Sequence, residues 1–146
     1  MSMAEQPRTP QSQAPQSQAR RIPAPQPNPE TRPFWDAARE GRLMIGRCAA
    51  CRRAHYYPRS VCPFCFTEGA TLEPASGRGT VYTLSVTYRG TPEPYAIGYV
   101  ELEEGPRILT NFVGAALESF RIGDAVRVVF TPTEEGAPPV PMFAPA

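Results

Sequence analysis

The sequence contains no lysine, and all 15 of its basic residues are arginine. It has one histidine, His55, and one tryptophan, Trp35. No run of about 18 apolar residues occurs, so no segment is expected to span a bilayer as a helix. The opening residues lack the apolar stretch of a secretory signal. A soluble cytoplasmic protein is therefore expected. There is no G-x-S-x-G, no P-loop, no H-E-x-x-H and no dinucleotide-binding fingerprint. Gly77-Arg78-Gly79 is too short to signify more than a turn or a bulge. Glu103-Glu104 falls in a turn, where a pair of acids is expected to be solvated.

Charge is present but unevenly placed. Residues 1–71 hold ten arginines against Glu5, Glu30, Asp36, Glu40 and Glu68, a net of +5. Residues 72–146 hold five arginines against nine acids, a net of −4, and the two halves sum to +1.

Residues 1–29 are rich in Pro, Gln and Ser, with Ile22 the exception to their lack of bulky apolar side chains. Such a segment buries too little surface to offset its ordering entropy. A disordered tail is expected, with polyproline II character at 23–29. Residues 30–45 form a helical segment. Thr31 suits the N-cap, Pro33 the first turn and Gly41 the position after the helix. Phe34, Ala37 and Ala38 make one apolar stripe with Trp35 beside it. So short a helix needs a surface to pack on.

From residue 71 the pattern is all-β. Tyr82, Leu84, Val86 and Tyr88 alternate with polar residues as in a half-buried strand. Residues 95–102 and 107–113 flank Glu103–Pro106 as a hairpin. Val126, Val128 and Phe130 alternate again, and a last strand is expected near Val140–Phe143. Five strands with a break at 115–119 suit an OB-type barrel over 71–146.

Between helix and barrel, residues 46–70 carry all four cysteines. Cys48-Ala-Ala-Cys51 and Cys62-Pro-Phe-Cys65 are two C-x-x-C pairs with ten residues between them. Each pair can form a knuckle that aims two thiolates at one centre, and two knuckles supply a sulfur tetrahedron at about 2.3 Å from zinc. One pair alone would be weak; two at this spacing point to a metal. Iron fits the same sulfurs chemically. A dithiol redox pair explains one motif and leaves the other unused. Four thiolates close the coordination shell, so the zinc is structural and no cysteine is left as a nucleophile. With one histidine, no nucleophile–base pair remains, and an enzyme acting alone is not expected. His55 is expected at the surface or behind the ligands. Arg47, Arg52, Arg53 and Arg59 either neutralise the net negative metal–thiolate centre or bind an anionic ligand.

The segment RPFWDAAREGRLMIGRCAACRRAHYYPRSVCPFC resembles the opening of the zinc-ribbon/OB-fold proteins of domain of unknown function 35. GTVYTLSVTYRG, YAIGYVELEEGPRILTNFVG, RIGDAVRVVF and the terminal PMFAP resemble that family's barrel in sequence and order. The likeness covers about residues 31–146. It implies a helical piece, a rubredoxin-like zinc ribbon and an OB barrel. It also implies a small non-catalytic subunit beside a thiolase, a thiolase-like aldolase or a MaoC-type hydratase. Acyl-CoA is then the shared ligand, and the large partner supplies the catalytic groups.

Candidate contacts to partner or coenzyme A are Phe34, Trp35, Tyr57, Pro58 and Arg59. Exposed aromatics with arginine are interface-type residues, and arginine suits phosphate. Tyr56 lies in the same stretch. Phe64 and Phe66 flank the last cysteine, and Phe64 is expected to pack the ribbon on the barrel. Two rival functions stay open. A single-stranded nucleic-acid binder would want a basic barrel, against the −4 here. A stand-alone acyl-CoA-binding module would bind ligand without a partner.

Overall fold

The computed structural model describes residues 21–146. Most of the Pro/Gln-rich segment expected to be disordered, residues 1–20, lies outside the described residues. Residues 21–28 carry neither helix nor strand.

Helix α1 spans Arg32–Arg39. Thr31 stands at the N-cap position, as expected, but its side chain does not cap the helix. Asn28 caps instead. Its Oδ1 accepts the Thr31 N–H at 2.8 Å, and the Thr31 hydroxyl accepts the Asn28 N–H at 3.0 Å. This reciprocal pair satisfies two free donors at the entry to the helix. The C-terminal end is as the sequence suggests. Gly41 is left-handed at φ 74°. The Gly41 and Arg42 N–H groups return to Ala38 and Ala37 carbonyls at 3.0 and 2.9 Å, a Schellman closure. Phe34, Ala37 and Ala38 form the buried face.

Next comes a three-stranded antiparallel sheet. Its strands are β1 (Met44–Cys48), β2 (Ala54–His55) and β3 (Ala70–Pro74), in the order β2-β1-β3. This sheet runs past both ends of the 46–70 segment drawn from the sequence.

The barrel uses β4 (Arg78–Val81), β5 (Ser85–Thr87), β6 (Tyr95–Leu102), β7 (Arg107–Phe112), β8 (Ala125–Thr131) and β9 (Val140–Pro145). Their order is β4-β8-β9-β7-β6-β5, and β4 also pairs with β6, which closes the ring. β7 and β9 meet in parallel at Phe112 and Phe143, and the other pairings are antiparallel. β4 and β5 act as one bent strand along β6, so this is the five-stranded OB barrel the alternation suggests. A 3₁₀ turn at Leu117–Ser119 fills the break between β7 and β8.

Two details depart from the sequence expectation. The strand expected across Tyr82–Tyr88 is interrupted, because the Tyr82 and Thr83 N–H groups both reach the Tyr99 carbonyl, at 2.7 and 3.1 Å. Two residues opposite one make a bulge, which bends the strand into the barrel. Gly98 permits that bend: a Cβ there would lie 2.0 Å from the Thr83 carbonyl oxygen. Of the two turn acids, Glu103 is exposed as expected, whereas Glu104 is half-buried with one carboxylate oxygen enclosed. Glu103 pairs with Arg78 at 2.9 Å, and Glu104 accepts the Ser76 N–H at 2.6 Å.

The core is continuous from helix to barrel. Phe34, Leu43 and Ile45 belong to the same buried cluster as Val81, Val100, Ile108, Phe112, Val126 and Phe143. The ribbon is thereby fixed to the barrel by burial of apolar surface, the main favourable term in folding.

Candidate metal centre and its surroundings

The two C-x-x-C motifs fold into matching loops. In the first, the Arg52 N–H meets the Cys48 carbonyl at 3.1 Å and the Cys48 N–H meets the Arg53 carbonyl at 3.1 Å. In the second, the Phe66 N–H meets the Cys62 carbonyl at 3.0 Å and the Cys62 N–H meets the Thr67 carbonyl at 3.0 Å. The offsets are identical, so each loop presents its two sulfurs in the same way. β1 delivers Cys48, and a bridge between Val61 and Glu68 closes the second loop.

The four sulfurs converge. All lie within 4.8 Å of one another. Cys48 Sγ is 3.6 Å from Cys65 Sγ, and Cys51 Sγ is 3.7 Å from Cys62 Sγ. A tetrahedron with metal–sulfur bonds of about 2.3 Å has edges of about 3.8 Å, so the set fits one zinc. The separations are far beyond a sulfur–sulfur bond of about 2.05 Å, and all four thiols are free. N–H groups point at the sulfurs: those of Cys51 and Phe64 lie 3.4 Å from Cys48 Sγ and Cys62 Sγ. The Thr67 hydroxyl, and then its backbone N–H, draw the Cys65 thiol down to about 6. For Cys51, the Arg53 N–H pulls downward, but burial and the neighbouring thiols push it up to about 11. A bound cation would deprotonate all four.

His55 is not a surface residue. It is 3% exposed, and its ring lies on the backbone of Gly46, its cross-strand partner. A Cβ at Gly46 would stand 2.2 Å from His55 Cε1. Nδ1 is 3.4 Å from the Tyr57 carbonyl, and Nε2 has no partner among the described residues. The metal-donor group comprises the four cysteines and excludes it.

The arginines divide. Arg47 pairs with Glu73 at 2.6 Å. Arg53 lies over the Phe64 ring at 3.4 Å, and Phe64 is 41% exposed. Phe64 therefore packs beneath a guanidinium and not between ribbon and barrel as expected. Arg59 is exposed beside Ser60, whose N–H and hydroxyl both donate to Glu30 at 2.7 Å. Those two bonds, with Arg59 adding a smaller charge effect, hold the Glu30 carboxyl below its ordinary value.

The candidate contact residues cluster. The Phe34 ring meets Trp35 at 4.9 Å and Tyr57 at 5.0 Å, edge to face. Tyr56 joins them at 5.9 Å from Phe34, and burial pushes its hydroxyl well above the usual tyrosine range. Phe34 and Pro58 are buried, Trp35 and Tyr57 are half-buried, and Arg59 is exposed. Pro58 and Arg59 line a cleft of about 260 Å³ with Glu30, Pro33, Gly46 and Leu72. The sequence offered no signal for the Glu30–Ser60 link or the His55–Gly46 stack, since both join residues whose contact depends on the folded chain.

Residues 35–70 match the family described as ChsH2, rubredoxin-like zinc ribbon domain, and residues 72–131 match ChsH2, C-terminal OB-fold domain. The chain belongs to the ChsH2 zinc-ribbon/OB-fold family.

This ChsH2-family chain is 30% identical over 134 residues to the benzoylsuccinyl-CoA thiolase subunit BbsA of Thauera aromatica, covering 82% of this chain and 92% of that one. It is 39% identical over 95 residues to a probable enoyl-CoA hydratase alpha subunit of Thermomonospora curvata. That match takes in 62% of this chain but spans only 30% of the relative's length. Among solved structures, the Ltp2-ChsH2(DUF35) aldolase superposes with a TM-score of 0.71 at 33% identity, covering 83% of this chain and 98% of that one. Among the described residues no helix is long and apolar enough to cross a membrane.

Proposed function

We propose that this ChsH2-family chain is a non-catalytic accessory subunit of an acyl-CoA-metabolising complex. Its partner is a cytoplasmic thiolase, thiolase-like aldolase or MaoC-type hydratase that forms or cleaves a carbon–carbon bond or hydrates its substrate. The observation that carries this reading is the similarity to a thiolase subunit along 82% of the chain. The aldolase complex, matched over 98% of its related chain, supports it independently.

The chemistry of the site agrees with an accessory role. A closed Cys₄ shell leaves no coordination position for substrate, so bound zinc supplies a cross-link that shapes the ribbon. In this reading Trp35 and Tyr57 contact the partner, with Phe34 and Pro58 buried beneath them as support. Arg59 offers a charged fork to a coenzyme A phosphate.

Reconstitution tests the reading. The chain is purified from its native host, the large subunit that accompanies it is identified, and the two are assayed apart and together with acyl-CoA substrates. The expected result is no turnover by this chain alone and restored turnover on recombination. Turnover by the isolated chain, or a partner unrelated to acyl-CoA chemistry, would overturn it.

A further inference from the structure

The turn that closes each metal loop uses a left-handed residue, but it does not require the side chain this sequence places there. In each, the residue after the second cysteine is left-handed: Arg52 at φ 63° and Phe66 at φ 61°. That region crowds a Cβ and favours glycine. Eight glycines adopt positive φ elsewhere in the described chain, so glycine is what this sequence ordinarily places there. Phe66 gains little packing in return, since it is 78% exposed. Backbone strain held without compensating contacts inside the chain points to a use outside it.

The neighbours of Phe66 extend the patch. Phe64 is 41% exposed and Val61 38%. The Arg53 guanidinium over Phe64 joins the two loops. Neither Arg52 nor Arg53 has an ion-pair partner among the described residues. Glu68, the one acid of residues 46–70, sits at the base of the second loop, bridged through its backbone to Val61. The tip is thus an apolar centre with two arginines at its rim that no carboxylate of the described residues pairs directly, a composition typical of protein interfaces.

We propose that this knuckle tip is a docking surface for the catalytic partner protein, received by an apolar patch bordered by carboxylates; this rests on the accessory-subunit reading. Charge complementarity selects the occupant. A nucleic acid also carries negative charge, but it would need open aromatic faces for stacking. Here Phe66 is one open face, the guanidinium covers Phe64, and residues 72–146, the barrel that would carry a strand, have a net −4.

The decisive variant is Phe66→Gly, because fold and function should move in opposite directions. The acyl-CoA-enzyme subunit that accompanies the wild-type chain is purified and titrated against wild type, F66G and the double variant R52S/R53S at low and high salt. Zinc content and Tm are measured for each. F66G should keep its zinc and melt at or above the wild-type Tm, since the strain is relieved. Its affinity for the partner should fall at least about tenfold, as expected for an aromatic anchor. R52S/R53S should bind more weakly, with a flatter salt dependence. F66G binding as wild type would overturn the proposal. So would a lowered Tm, which would show that Phe66 packs within its own chain. Tight binding of a single-stranded oligothymidylate that F66G abolishes would reassign the patch to nucleic acid. If wild type holds no acyl-CoA-enzyme subunit, the accessory reading fails and this proposal falls with it. If wild type binds and F66G binds equally, only this proposal fails.

Discussion

Arg47 on β1 reaches diagonally to Glu73 on β3, since their direct cross-strand partners are Thr71 and Ile45. The guanidinium donates from Nε and Nη2 to Glu73 Oε1 at 2.9 and 2.6 Å. Arg47 thereby holds the Glu73 carboxyl below its ordinary value of 4.5. A carboxyl depressed on folding contributes stability that is fully present above its unfolded pKa and is lost as pH falls through the folded one. Both side chains are 34% exposed, so the pair contributes at most about 1 kcal/mol. Glu73→Gln should therefore cost up to that amount at pH 7. The difference from wild type should shrink as pH drops below about 4.5, the ordinary carboxylate range. Urea unfolding of both proteins across that range, with zinc content matched, checks this. A pH-independent difference would assign the effect to packing.

At the scale of the element, the zinc ribbon and the barrel differ in what holds them. The sheet of β1, β2 and β3 is small, and its two cysteine loops depend on a shared cation. The binding energy of a structural metal is also folding energy. About one zinc per chain is expected. Chelation, or Cys48→Ser or Cys65→Ser, should unfold the ribbon and release α1, removing the near-ultraviolet signal of the Trp35–Tyr57 cluster. The β6–β7 hairpin should keep its amide protection, because it packs on barrel residues such as Val100, Ile108 and Phe112. Metal-free protein with an intact aromatic signal would refute this. The same division explains what the sequence made legible. The cysteine loops and the hairpin at 95–102 and 107–112 are local, so spacing and alternation reveal them. The bulge at Tyr82–Thr83 depends on where β6 crosses, and the burial of His55 depends on a bare Gly46 opposite it. The stacking of Arg53 on Phe64 needs both loops in place. Alternation along one segment carries none of these relations.

For the whole molecule, assembly is the property that matters, and the α1 face is the place to test it. Phe34 is 1% exposed, so removing it would damage the fold itself. Trp35 and Arg59 can be changed without opening the core: one is half-buried at the rim of the aromatic cluster, the other exposed on the cleft. If this face meets the catalytic subunit, Trp35→Ala should weaken assembly by about 2 kcal/mol or more, the usual scale for a buried aromatic anchor. Arg59→Ala should act on a different quantity if its guanidinium holds a coenzyme A phosphate. It should raise the KM for acyl-CoA in the assembled complex more than it weakens the complex. Both variants should retain the full metal content, because neither residue touches the four sulfurs. The measurements are partner affinity, KM and zinc per chain on the same preparations. Unchanged affinity for Trp35→Ala would remove α1 from the interface. Unchanged KM for Arg59→Ala would remove the phosphate contact. Because the two variants report separately, either result leaves the other assignment standing, and the position of the partner on the chain can be narrowed one surface at a time.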